Sequence, residues 1–359
     1  MYLRRLWLTD FRGYRETDVS FAPGLTAVVG PNGQGKTNLL EAIGYLATLS
    51  SFRGAPTDAL IRAGAERAIV RAEGEREGRQ LLLEAELSAN GRNRAQLNRQ
   101  PLKRARDLLG ALRVTVFSPD DLTLVKGSPG DRRSYLDETL VALHPRHDQT
   151  RADLDRILRQ RGALLKQAGG RMNPEIELTL DVFDAKLVAS GEALATARRE
   201  LVADLEPVLG RAYEQVARRG AEVRAIYEPP WMAEGLAAAL LLARKDDLRR
   251  GVSTVGPHRD ELELVLNAMP ARTHASQGEQ RSLALALRLA AHEVVTRQTD
   301  TPPVLLLDDV FSELDPDRSA ALLESLPDGQ TVLSTATALP DGAVPGSVIR
   351  VRDGVAAED

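Results

Sequence analysis

A glycine-rich run, Gly30-Pro31-Asn32-Gly33-Gln34-Gly35-Lys36-Thr37, satisfies the phosphate-loop pattern G-x-x-x-x-G-K-[ST] in full. Its flanks suit that role. Leu25 to Val29 is an apolar run that predicts a buried strand, and Asn38 to Ile43 continues with the apolar spacing of a helix. The glycines let backbone amides turn inward around a polyphosphate, and the helix start adds unpaired N–H groups and the positive end of the helix dipole. In such a loop Lys36 reaches the β- and γ-phosphates and the Thr37 hydroxyl ligates Mg²⁺. A plain glycine turn that holds nothing is the alternative, and the Lys-Thr pair with both flanks in place argues against it.

Composition sets limits around this motif. The chain of 359 residues is long enough for one large core or two lobes, given domains of about 50–250 residues. It contains no cysteine, which excludes disulfides and thiolate metal sites and suits a reducing compartment. No apolar stretch approaches the roughly 20 residues that cross a bilayer, and Met1-Tyr2-Leu3-Arg4-Arg5 lacks the apolar core of a secretion signal. A cytoplasmic location is the expectation. The net charge of −4 neither announces a nucleic-acid partner nor forbids a local basic patch.

Read along the chain, the pattern is α/β with mixed sheets and an α-helical insertion lobe. Tyr2 to Leu8, Asp18 to Phe21, Leu25 to Val29, Arg67 to Ala72, Leu81 to Leu87 and Val114 to Phe117 are predicted strands. Asn90-Gly91 predicts a hairpin turn into Arg94 to Asn98. From Ser128 to about Val216 the chain is rich in Ala, Leu, Arg and Glu, with one break at Gly169-Gly170 and Asn173-Pro174. That insertion either packs on the sheet or offers a partner surface. The strand pattern resumes at Glu261 to Leu266 and continues with Val304 to Leu307, Thr331 to Leu333 and Val348 to Val351. The expected organisation is an ATPase lobe from 1–118 and 253–359, interrupted by a helical lobe from 119–252.

The second half supplies further phosphate chemistry. Val304 to Leu307 is a hydrophobic strand that ends in Asp308-Asp309. A carboxylate at a strand tip beside the phosphate loop can hold Mg²⁺, the role expected of Asp308, and Asp309 can polarise the attacking water as general base. Ser276-Gln277-Gly278-Glu279-Gln280 opens another predicted helix. Its N-terminus is either an ordinary cap or a second anion-binding end, one that serves a nucleotide held by another subunit.

GPNGQGKT, SQGEQ and LLLDDVFSELD, in that order, resemble the Walker A, signature and Walker B plus D-loop motifs of the ABC-type ATPases. The FRGY start at Phe11 to Tyr14, the extension GQGKTNLLEAI and the string VGPHRDELEL at Val255 to Leu264 further resemble the RecF family, recombination mediators of the SMC-like branch. The resemblance implies an ABC-type P-loop ATPase head that dimerises around two ATP molecules. It implies that Arg12, Gly30 to Thr37 and Asn38 bind nucleotide, and that Thr37 and Asp308 hold the metal. It also implies that Ser276, Gln277, Gly278, Glu279 and Gln280 act in trans, with Ser312, Leu314 and Asp315 of the D-loop Ser312-Glu313-Leu314-Asp315 at the dimer interface.

Three departures from the superfamily pattern point to slow hydrolysis. No glutamine stands at Ser118-Pro119-Asp120, where a metal-coordinating loop is usual; Asp309 replaces the commoner Glu; and Ser334-Thr335-Ala336-Thr337 offers hydroxyls in place of a switch histidine.

Arg92, Arg94, Arg99, Lys103, Arg104 and Arg106 crowd into one short hairpin and its exit, with Asp107 the first acid after them. They form either a solvated charged face or a grip on DNA phosphates, and Arg132 with Arg133 is a second candidate. At 4% aromatic content the chain offers little for stacking unpaired bases, which favours duplex contact. The resemblance implies duplex DNA at single-strand gaps as ligand, RecR, RecO and RecA as partners, and ATP hydrolysis stimulated by DNA. Two other classes share these motifs: a transporter ATPase subunit, whose signature usually follows the phosphate loop without so long an insertion, and an SMC-type structural head without DNA-loading activity.

Overall fold

The structure, a computed structural model, describes residues 1–358, and for Glu313 the backbone alone. The first stretch comprises β1 (Tyr2–Phe11), β2 (Tyr14–Ser20), β3 (Leu25–Val29), α1 (Lys36–Thr48), the single turn α2 (Thr57–Leu60), β4 (Arg67–Arg76), β5 (Arg79–Ser88), β6 (Arg94–Leu97), β7 (Gln100–Pro101) and β8 (Val114–Phe117). Then come α3 (Thr123–Lys126), α4 (Pro129–Leu143), α5 (Arg146–Ala168), α6 (Pro174–Ala217), β9 (Val223–Ile226), α7 (Leu236–Arg250), β10 (Glu263–Leu266), β11 (Met269–Pro270) and α8 (Ala271–His274). The last stretch holds α9 (Gln277–Thr299), β12 (Val304–Asp308), α10 (Pro316–Glu324), β13 (Thr331–Thr335), β14 (Ser347–Arg352) and β15 (Val355–Glu358).

Two compact units result. One comprises Met1–Leu122, Val208–Ala221 and Ser276–Asp359; the other comprises Thr123–Pro207 and Glu222–Ala275. The boundary inside α6 falls at its internal proline, Pro207.

The first unit has two sheets. One has the order β15-β14-β3-β13-β12-β8 and is parallel throughout except for the β14–β15 hairpin. Every residue of β12 and of β13 is buried, the pattern of a parallel strand covered on both faces. The other sheet, β2-β1-β4-β5-β6-β7, is antiparallel and alternates buried with exposed positions along β4, as a sheet with one wet face must. Between the sheets lies α1, which touches strands of both. Leu39, Leu40, Ile43 and Leu46 of α1 share a core cluster with Leu6, Leu8, Val70 and Leu83 of one sheet and Leu306, Val332 and Ile349 of the other. A helix buried around most of its circumference holds its first turn still, and that turn belongs to the phosphate loop.

Polar links fix the two sheets to each other. Gln330, buried just before β13, accepts from Leu3 N at 2.6 Å and donates to Leu3 O at 2.7 Å and Ala22 O at 3.1 Å. Leu3 sits where β1 shifts register against β4, so the amide supplies partners at an irregular point of the ladder. On the other flank, α9 docks on β8 through buried His292, whose Nδ1 lies 3.1 Å from Thr115 Oγ1, while Arg288 donates twice to Asp121 Oδ1, at 3.0 and 2.8 Å.

The second unit is helical with a small sheet, β11-β10-β9. Arg161, with no exposed surface, donates to Asp184 at 2.7 Å, Asp247 at 2.6 Å and Ser253 at 2.8 Å. Arg198 forks onto Asp137 at 2.8 and 2.9 Å and donates to Pro257 O at 2.8 Å. Buried charges of this kind hold one geometry because each is paired and hydrogen-bonded.

Three features differ from the sequence expectation. Glu261 to Leu266 does not rejoin the ATPase sheets; its ordered part, β10, pairs antiparallel with β9 and β11, so the later boundary lies at Ser276 and not at 253. The long helical run breaks a second time, at His144-Pro145, giving α4, α5 and α6, since Pro145 supplies no N–H to continue α4. The chain also ends in a hairpin, with Asp353 and Gly354 at positive φ between β14 and β15.

His292 generates a pH prediction. Burial lowers its pKa to about 4, against an ordinary value of 6.5. Between those limits the unfolded chain binds the proton and the folded chain does not, so folding stability falls as pH drops from 6.5 to 4. In urea titrations at pH 7 and pH 4, His292→Gln should lose less stability than wild type, by about 3 kcal/mol at most. Equal losses would remove the assignment.

Candidate functional site: a phosphate loop facing two strand-tip carboxylates

The loop between β3 and α1 has glycine where the backbone demands it. Gly30 adopts φ 156°, and a Cβ there would stand 2.2 Å from Val351 O on β14. Gly35 adopts φ 115° directly above Tyr14, whose hydroxyl donates to Gly35 O at 3.0 Å. Tyr14 is fully buried, and burial pushes its phenol pKa up, so it remains a neutral donor under the loop. Gln34 Oε1 accepts from Asp353 N at 2.5 Å. Pro31, Asn32 and Gly33 are exposed at the rim, and Asn38 lies beside Gly13. No side chain caps α1 at Gly35, which leaves the first-turn N–H groups open to an anion.

Lys36 and Thr37 open α1 and face the end of β12. Lys36 Nζ donates to Pro31 O at 2.9 Å, folding back over the loop. Burial lowers the pKa of Lys36, while the nearby carboxylates of Asp309 and Asp308 oppose that shift. Thr37 Oγ1 donates to Asp308 Oδ1 at 2.8 Å, and Ser334 Oγ donates to the same oxygen at 2.7 Å. Burial raises the pKa of Asp308, and these two hydrogen bonds work against the rise. Parallel pairing of β12 with β13 sets Asp308 opposite Ser334, which explains why a strand so far along the chain contributes to the site.

Asp309 follows in a left-handed conformation, φ 50°. Its N–H lies 3.1 Å from Ser334 Oγ and 3.2 Å from Ser334 O. Its Oδ1 is buried and has no hydrogen-bond partner among the described residues, a costly state for an acceptor unless a ligand or water meets it. Thr37 and Asp308 thus form an oxygen-only donor pair beside the phosphate loop, which fits Mg²⁺ carried by a polyphosphate, with Asp309 next to it. Among the described residues no cluster of three or more His, Cys, Asp or Glu could hold a metal without such help.

Arg12, expected to contact the nucleotide, is held by α1 and the turn before β4. At φ 53°, it donates Nε and Nη2 to the two carboxylate oxygens of Glu41, both at 2.8 Å, and Nη1 to Ala59 O at 2.9 Å. Glu41 has no exposed surface, so the pair anchors α1 behind its first turn. The position of the superfamily's glutamine loop is also committed: Asp121 accepts from Ser118 N at 2.8 Å and pairs with Arg288. Sequence inspection missed the roles of Ser334, Tyr14 and Gln34's contact with Asp353, because each depends on strand register or on a hairpin far along the chain.

The signature residues form the start of α9. Ser276 is its N-cap, with Oγ accepting from Glu279 N at 3.3 Å, and Glu279 Oε2 accepts from Ser276 N and Oγ, both at 2.8 Å. This is a complete capping box. Ser276 and Gln277 are exposed, Gly278 and Glu279 half-buried, and Gln280 buried. In the D-loop, Ser312 Oγ donates to Asp309 O at 2.7 Å, Leu314 N to Phe311 O at 3.4 Å, and Asp315 caps α10 by accepting from Arg318 N at 2.9 Å. The side chain of Glu313 lies outside the described residues.

The basic hairpin sits at the β6–β7 edge of the antiparallel sheet, with Asn98 and Arg99 at positive φ in its turn. Arg92, Arg94, Arg99, Lys103 and Arg104 are exposed, and no ion pair engages them among the described residues; Arg106 is half-buried and already partnered. The second candidate pair, Arg132 and Arg133, is engaged within its own unit. Arg132 is buried and forks onto Glu261 at 2.7 and 3.0 Å, and Arg133 donates to Asp260 O at 2.6 Å. Arg132 is thus spent on the fold of its own unit, while Arg133 is half-buried with one donor committed.

Comparison with known proteins agrees with this architecture. The RecF/RecN/SMC N terminal domain family matches residues 2–334. The DNA replication and repair protein RecF of Streptomyces avermitilis is 46% identical over 368 residues, covering 98% of this chain and 97% of that protein. Its counterpart in Kineococcus radiotolerans is 47% identical over 367 residues, covering 95% and 94%. Among solved structures, the recombination mediator protein RecF-ATP of the RecFOR pathway superposes with a TM-score of 0.91 at 28% identity, covering all of this chain and 97% of that one. The Smc head domain of Pyrococcus furiosus shares the fold, at a TM-score of 0.60 and 19% identity over 100% of this chain and 96% of that one. An SMC-like, ABC-type head with this phosphate loop, this acidic strand tip and these full-length relatives belongs to the RecF family.

Proposed function

We propose that the chain is an ATP-dependent DNA-binding recombination mediator, a switch that closes as a homodimer around two ATP molecules on duplex DNA at single-strand gaps. RecR, with RecO and RecA, is the partner set, in keeping with a role in DNA repair and replication. The observation that carries the reading is the meeting of Lys36, Thr37, Asp308 and the orphaned Asp309 Oδ1 at one phosphate loop. Relatives named as DNA replication and repair proteins over nearly the full chain favour this over a transporter subunit.

In this mechanism α1 N–H groups and Lys36 bind the β- and γ-phosphates, and Thr37 with Asp308 would hold Mg²⁺. The ion, when bound, neutralises charge on the phosphates. Asp309 accepts the proton of the attacking water, and its free Oδ1 leaves room for that hydrogen bond. Ser334, where a switch histidine is usual, has its hydroxyl committed to Asp308. With a short acid and no imidazole, hydrolysis is slow and resets the clamp, and DNA stimulates it. The signature end Ser276 to Gln280 completes the site from a second copy, since Ser276 and Gln277 are exposed and no hydrogen bond ties them to the phosphate loop of their own chain among the described residues.

Two measurements test this function. Lys36→Met should weaken ATP binding in equilibrium titration by about ten-fold or more, the worth of a charge-assisted phosphate contact; unchanged affinity would refute the loop assignment. In gel shifts on gapped duplex, wild type should bind more tightly with ATP than without. Joint neutralisation of Arg92, Arg94, Lys103 and Arg104 should reduce the log–log salt slope by up to about 0.9 per lost phosphate contact. An unchanged slope would remove the hairpin from the DNA surface.

A further inference from the structure

The first turn of α9 carries a carboxylate where a phosphate is expected to arrive. Glu279 is held ionised by hydrogen bonds from the Ser276 backbone and side chain, which keep its pKa below the usual carboxylate range. Uncompensated, that charge repels a polyphosphate at close range. Two arginines of the same unit face it. Arg219 Nη2 donates to Glu279 Oε1 at 3.0 Å. The second, Arg318, reaches across from α10 and lies on the first turn of α9 itself.

The seat of Arg318 is specific. A Cβ built on Gly278 would stand 2.6 Å from Arg318 Nη2 and 3.1 Å from its Cζ. Glycine at this signature position is therefore what lets the guanidinium rest against the helix end. Asp315 of the D-loop fixes it from the other side, accepting Arg318 N on Oδ1 at 2.9 Å and pairing with Nη1 through Oδ2. Nε is buried and has no hydrogen-bond partner among the described residues, while about a third of the side chain, 34%, remains exposed. The exposed part of this guanidinium, with Nη2 against the helix N-terminus at Gly278 and beside an exposed serine, can donate to a phosphate oxygen.

We propose that Arg318 is a further nucleotide-contacting residue: seated on Gly278 and aimed by Asp315, it binds the γ-phosphate of ATP held in the phosphate loop of a second copy. The inference rests on the composite-site reading above. It gives the D-loop a defined task, because Asp315 then orients the cation that the signature glycine accommodates. Arg219 balances Glu279 and Asp315 balances Arg318, so the helix end carries no net negative charge and Arg318 meets the incoming phosphate with directed N–H donors.

Sedimentation velocity with ATP and Mg²⁺, on wild type, Arg318→Ala, Arg318→Lys and Gly278→Ala, tests this. Arg318→Ala should bind ATP as a single copy with wild-type affinity, yet need about ten-fold more protein, or above, to dimerise. Arg318→Lys should recover part of the loss, a rescue that a purely structural ion pair with Asp315 would not supply to the ATP-dependent step alone. If Arg318→Ala fails to fold, Gly278→Ala, which displaces the guanidinium without removing it, should show the same dimerisation defect. Dimerisation of the variants at wild-type concentrations would overturn the role of Arg318. Absence of ATP-driven dimerisation in wild type itself would instead overturn the composite site, and this inference with it.

Discussion

The site depends on one shared acceptor. Asp308 Oδ1 receives the hydroxyls of Thr37 and Ser334 together, and through that oxygen the first turn of α1, the tip of β12 and the end of β13 are held as one body. Parallel pairing of β12 with β13 and of β13 with β3 brings the three segments together at the C-terminal ends of these strands. The core around α1 keeps them there. Burial alone would push Asp308 toward its neutral form; the two hydroxyls favour the carboxylate, and Thr37 and Asp308 are the same pair that a divalent ion would engage.

The phosphate loop was legible because its chemistry is local. Glycines at positive φ, a Lys-Thr pair and an apolar strand on one side leave a single plausible use for the segment. The start of α9 was legible as a helix end at Ser276; the structure adds Glu279, which closes a capping box with it. Val114 to Phe117 and Leu25 to Val29 form strands with the expected limits.

What the sequence did not disclose depends on distant partners. Nothing near Glu261 indicates that β10 will pair with β9 and β11 and so move a domain boundary. Arg132 and Arg133 carry the same charge as the exposed hairpin arginines, and only the folded position of Glu261 and of Asp260 separates them. The fork of Arg12 onto buried Glu41, a brace for α1, likewise depends on a partner distant in the chain. Charge density in a sequence identifies cations; burial and pairing decide which of them face solvent.

In the proposed dimer each nucleotide site is shared between two copies, one supplying Lys36 and the other Ser276. Mixing Lys36→Met with Ser276→Arg in the presence of ATP and Mg²⁺ tests it most directly, because a mixed pair retains one site with Lys36 and Ser276 both intact. Light scattering or sedimentation should show neither variant associating alone and the mixture forming heterodimers with about half the ATP uptake of wild type. Efficient self-association of Ser276→Arg, or no association in the mixture while wild type dimerises, would contradict the shared site.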